Sequence, residues 1–133
     1  MPRRQFRLPS TDEEYLDSTG LEWETLEEDK VKWLLIHGRP VPKGFTYTIA
    51  LTAIQIAPGY PDSQLDMAYY FPALARTDGR QINQLSPQQI DNKTFQRWSR
   101  HRTQASVWRP GEDDVSTHLA FMDAALESEF SKR

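Results

Sequence analysis

The sequence predicts an α+β domain, a β-meander followed by a helix packed on the sheet. Between Leu21 and Phe71, four runs of strand-forming residues are separated by breaks long enough only for turns. Four such strands in succession pair as an antiparallel meander. Beyond residue 113, Val115, Leu119, Met122, Leu126 and Phe130 recur at spacings of four, three, four and four, one apolar stripe on a helix. A length of 133 residues leaves room for a single core.

The elements follow in order. Residues 1–9, with Arg3, Arg4 and Arg7, read as a flexible basic lead, and residues 10–131 as the domain. Ser10 or Thr11 can cap a short helix whose first turn carries Asp12 and Glu13 and which ends near Gly20. Leu21, Trp23 and Thr25 alternate with Glu22 and Glu24, the period of a strand with one wet face. Glu28-Asp29-Lys30 is a turn, and Val31 to Ile36 is a second strand. Its unbroken run Trp33-Leu34-Leu35-Ile36 predicts burial on both faces. The segment 38–44 holds two prolines and two glycines and reads as a loop. Thr46 to Ile56, rich in β-branched residues, is the longest strand. Pro58-Gly59-Tyr60-Pro61 breaks it, and Met67 to Phe71 gives the fourth. Ala73 to Thr94 is polar and aperiodic, the mark of a functional or mobile loop. Residues 94–108 alternate too weakly to assign. Asp113 or Asp114 caps the final helix.

Composition narrows the chemistry. The chain contains no cysteine, which removes disulfides, thiolate metal sites and Cys nucleophiles together. No run approaches the ~20 apolar residues of a membrane span, and the N-terminus lacks a signal-peptide core, so a cytoplasmic protein is expected. The net charge of −3 hides an asymmetry. Residues 12–29 carry nine acids and no base, whereas Arg97, Arg100, Arg102, Arg109 and His101 cluster near the last helix. Opposed patches of this kind steer charged protein partners.

Several motifs sit at spacings that resemble a known family. They are Trp33-Leu34-Leu35-Ile36, Tyr60-Pro61, Leu65-Asp66-Met67-Ala68-Tyr69, Gln96-Arg97-Trp98-Ser99-Arg100-His101 and Trp108-Arg109-Pro110-Gly111. In this order they resemble the ubiquitin-conjugating (UBC) fold and, more closely, its bacterial branch, the prokaryotic ubiquitin-conjugating family E, over about residues 8–130. The resemblance implies a UBC-like fold and a place in a bacterial ubiquitin-like conjugation pathway. Its implied partners are a ubiquitin-like protein and an activating enzyme; no cofactor and no membrane are implied. Three departures stand out: the His-Pro-Asn tripeptide is missing, Gln64-Leu65 replaces the proline pair after Tyr-Pro, and the family's catalytic cysteine has no counterpart.

Counting back about eight residues from Trp108, to where that cysteine would stand, lands on Ser99-Arg100-His101. Ser99 is the nearest nucleophile-type residue, and a hydroxyl needs an adjacent base, for which His101 is the right kind of group. In an extended segment their Cα atoms stand roughly 6.6 Å apart on one face. Arg97, Trp98, Arg100 and Arg102 are the candidate binding residues: the cations for an oxyanion or an acidic partner, the indole for stacking. Two function classes stay open, a transferase carrying an oxyester on Ser99 and a non-catalytic module that binds the same two partners. Nucleic acid, which Arg and Trp could also engage, is disfavoured by the acidic net charge. His37 and His118 lack metal-ligand spacing, so no metal is expected. Asp62 and Asp66 read as turn and strand-edge residues, and Trp108 with Pro110 as a wedge between loop and helix.

Overall fold

A computed structural model describes residues 2–100, 102–104 and 107–131. The chain folds as α1 (Ser10–Ser18), β1 (Trp23–Glu28), β2 (Val31–Pro40), β3 (Ile49–Ile56), β4 (Ala68–Phe71), β5 (Leu85–Ile90), β6 (Lys93–Trp98) and α2 (Val115–Ser128), with a final 3-10 turn at Glu129–Ser131. The strands form one antiparallel sheet in the order β1-β2-β3-β4-β6-β5. The α+β class and the meander are as expected, but the sheet has six strands where the sequence predicts four. The two extra strands come from the segment read as aperiodic and the one left unassigned.

The Trp33–Ile36 run has a simple explanation. Successive strand residues point to opposite faces, and both faces are packed. Leu34, Ile36, Ile54, Tyr70 and Trp98 meet Val115, Leu119, Met122 and Leu126 of α2. On the other face Trp33, Leu35, Ala53, Tyr69, Ile90 and Phe95 form a second cluster. β2 also continues through Gly38-Arg39-Pro40, read from sequence as loop. A bulge between Ile36 and Arg39, with Gly38 at φ 67°, absorbs the glycine without ending the strand.

The helix ends follow their residues. Asp114 caps α2 by accepting the Thr117 N–H at 3.1 Å, and Thr117 Oγ1 accepts the Asp114 N–H at 2.9 Å, a reciprocal capping box. α1 begins after Pro9 rather than Ser10 or Thr11 and has no side-chain cap. Glu13 reaches back instead and accepts the Leu8 N–H at 3.1 Å. The two helices meet through buried Asp12, which accepts from Tyr60 Oη at 2.6 Å and from the Val115 N–H at 3.2 Å.

The basic lead is docked rather than loose. Gln5 N–H donates to Thr25 O at 2.9 Å and Thr25 N–H donates to Arg3 O at 3.0 Å, closing the outer edge of β1. Arg3 bridges Glu24 and Asp91, and Arg4 stacks over Trp23 while bonding its carbonyl. Among the described residues, no helix is long and apolar enough to cross a membrane.

Candidate functional site

β6 delivers its last residues to one end of α2. Trp98 points inward and anchors the strand: it is 1% exposed, and its indole N–H donates to Asn83 O at 3.1 Å. Two residues earlier on the same face, Gln96 fixes the incoming segment by accepting the Leu74 N–H and donating to Leu74 O, at 3.1 and 2.7 Å. Ser99 follows directly. Its N–H donates to Gln84 O at 3.0 Å, and it is half-buried at the wall of an open groove of about 560 Å³.

That groove is lined by Gln84, Ser99 and Arg100 on one side and by Phe121, Ala124, Ala125 and Ser128 on the other. The helical residues stand at i, i+3, i+4 and i+7, so α2 lends the groove a stripe separate from its core stripe. The small side chains of Ala124, Ala125 and Ser128 leave the space open. Arg100 lies over the Trp98 ring with its guanidinium carbon 4.3 Å from the centroid, and its Nε has no hydrogen-bond partner.

Deeper in, Arg102 and His118 form a packed pair. The Arg102 guanidinium lies 4.8 Å from the ring centroids of both Trp108 and Phe121, and its Nε donates to Leu65 O at 3.3 Å. Burial lowers its pKa from the ordinary arginine value. Arg102 Nη2 lies 3.3 Å from His118 Nδ1, and His118 Nε2 lies 2.9 Å from Met67 O. Arginine only donates, so Nδ1 is the acceptor and the proton sits on Nε2. Burial pushes the His118 pKa down to about 4, which keeps the ring neutral at pH 7 with both nitrogens engaged.

The structure therefore divides the expected site residues. Ser99 and Arg100 reach the groove. Trp98 does not form a binding surface, because its ring belongs to the core. Arg102 is held between two rings and is not part of an exposed basic patch. Arg97, one residue before Trp98, points to the opposite face of the sheet, and its Nε is buried without a hydrogen-bond partner. His101 lies outside the described residues. Trp108 acts as a wedge, 8% exposed and donating to Pro61 O at 3.0 Å, whereas Pro110 is exposed in a turn. Asp66 accepts the Met67 N–H at 3.1 Å, a local backbone role. The sequence reading missed Gln84, Phe121 and Ser128 as lining residues; the helical repeat from Phe121 to Ser128 was the available signal. It also missed that Glu22, Glu24 and His37 come together, with their ligand-type atoms within 4.8 Å of one another.

A six-stranded antiparallel sheet with one long helix across a face, a groove where the last strand meets that helix, and no cysteine define a ubiquitin-conjugating-type domain without its thiol. The chain belongs to prokaryotic E2 family E, whose family model matches residues 8–129. Membership gives it a role related to ubiquitin conjugation. Comparison with curated proteins and with solved structures gives no match.

Proposed function

We propose that this chain is a cysteine-free component of a bacterial ubiquitin-like modification pathway that takes the tail of a ubiquitin-like protein in the Ser99 groove and carries it as an oxyester. The observation that supports this reading is the delivery of Ser99 by β6 to the wall of an open groove, with Arg100 beside it. In the transfer, Ser99 Oγ attacks the activated C-terminal carbonyl held by an activating enzyme. A C–O bond to Ser99 forms, the bond to the activating enzyme's thiol sulfur breaks, and the serine proton passes to a base. His101 is the base by its place in the chain. Arg100 supplies positive charge for the oxyanion that develops.

A second reading is favoured by a specific observation. His118, the imidazole nearest the groove among the described residues, has both nitrogens committed to Met67 and Arg102, so it offers Ser99 no basic nitrogen. Without a base the domain binds the same partners and transfers nothing.

One experiment separates the readings. Incubation with the ubiquitin-like protein, activating enzyme and ATP should yield an adduct that survives thiol reductant and is cleaved by mild alkali. Ser99→Ala should abolish it, His101→Ala should slow its formation by about 10²–10⁴-fold, and Arg100→Ala should have a smaller effect. An alkali-resistant adduct that persists in Ser99→Ala would be an isopeptide on lysine and would make the chain a substrate. Binding without any adduct selects the non-catalytic reading, and failure to bind either partner overturns the pathway assignment.

A further inference from the structure

A second group of chemically capable side chains lies on the outer strand pair β1–β2, at the opposite end of the strand order from the groove. Glu22 stands just before β1. Its carbonyl accepts the His37 N–H at 2.9 Å, which carries the Trp23–Ile36 pairing one step further and sets Glu22 opposite His37. Glu24, two residues on, shares the face of Glu22. His37 Nε2 consequently lies 3.2 Å from Glu24 Oε2 and 3.8 Å from Glu22 Oε2, with all three ligand-type atoms within 4.8 Å of one another.

We propose that Glu22, Glu24 and His37 form a divalent-cation site of the zinc type. One imidazole nitrogen and two carboxylate oxygens are a sound donor set for such an ion, with a fourth position left to water. At bond lengths of about 2.0–2.2 Å, tetrahedral donors stand roughly 3.3–3.6 Å apart, and the two His37 separations straddle that span. The backbone pairing already sets the three residues on one face of the strand pair. Glu24 is 7% exposed, and its Oε2, the oxygen that faces His37, also accepts from Arg3 Nη2 at 2.9 Å. Partners of this kind orient a ligating carboxylate. Glu22, exposed at the rim, gives the ion its way in. The bound ion pins β1 to β2 beside the docked lead.

The test is calorimetric titration of the untagged full chain with zinc chloride. One ion per chain is expected, with affinity reduced at least ~100-fold in His37→Gln and ~10-fold in Glu22→Gln, whose exposed side chain leaves the fold intact by circular dichroism. Zinc should raise the Tm of the wild type and not that of His37→Gln, and amide shifts should centre on Glu22, Glu24 and His37. Absence of binding at ~1 mM zinc, or binding that His37→Gln leaves unchanged, overturns the site.

Discussion

The β1–β2 and β5–β6 hairpins share a backbone design and differ in what supports it. Each closes with two residues of positive φ, Asp29 and Lys30 at 49° and 68°, and Asp91 and Asn92 at 52° and 62°. Such turns match the twist of the strands they join, and each hairpin pairs six residues with six. β2 is an inner strand with four successive buried residues, whereas β5 is an edge strand in which Ile90 alone is fully buried. β5 holds its place through its partner. Hydrogen-bonded and non-bonded pairs alternate in an antiparallel ladder. Since Ile90 and Lys93 flank the turn and Ser99 donates to Gln84, Pro87 falls on a non-bonded pair. Its ring nitrogen faces the open edge, where a missing donor costs the ladder nothing. One hairpin is therefore built from its own apolar residues, and the other is imposed by β6, the strand that presents Ser99.

The largest expected effect tests that dependence. Trp98→Ala should cost about 3–5 kcal/mol in chemical denaturation and strip hydrogen-exchange protection from β5 while β1 and β2 keep theirs. Simultaneous loss in both hairpins would show one cooperative unit and erase the contrast. Next comes acid. An imidazole in the unfolded chain takes its proton near pH 6.5, whereas His118 in the fold does so only near 4. Its contribution is present above pH 6.5 and is lost as the pH falls toward 4, by up to about 3 kcal/mol. The neighbouring exit of β6 at Arg102 should loosen first. His118→Gln should flatten this part of the pH–stability curve; an unchanged slope would place the acid sensitivity elsewhere. The turns give a smaller difference. Lys30→Gly should raise stability by about 0.5–1 kcal/mol and Asn92→Gly by a few tenths, because asparagine already tolerates the left-handed region; urea midpoints measure both. Least affected is the monomer stability of Pro87→Val, within ~0.5 kcal/mol. The restored N–H on an open edge should instead make elution from a sizing column depend on concentration.

What could be read from sequence follows the same contrast. Val115 to Leu126 and Trp33 to Ile36 announce their elements because a packed face imposes its period on the residues. Leu85-Ser86-Pro87-Gln88-Gln89 announces nothing, because an edge strand with little burial carries no such pattern. Gly38 and Pro40 suggested a break because composition does not distinguish a bulge from a loop. Counting back from Trp108 lands just past the end of β6, where Ser99 lines the groove. The places of Trp98 in the core and of Arg102 between two rings were not legible, because a cation and an indole spell the same letters on a surface and inside a cation–aromatic stack. The Glu22–Glu24–His37 group becomes visible only once the turn at Asp29-Lys30 is known, for Glu22 and His37 are mirror positions about it.

The order of the elements along the chain also has a consequence during synthesis. The face carrying Trp33, Leu35, Tyr69 and Phe95 is closed by residues that precede Ser99, so it can form as soon as the strands emerge. The face carrying Leu34, Ile36, Tyr70 and Trp98 must wait for α2. At about 5–20 residues per second, the roughly 30 residues from Trp98 to Ser128 take about 2–6 s to be made. For those seconds the nascent sheet carries one finished side and one that α1 and the loop residues cover only in part.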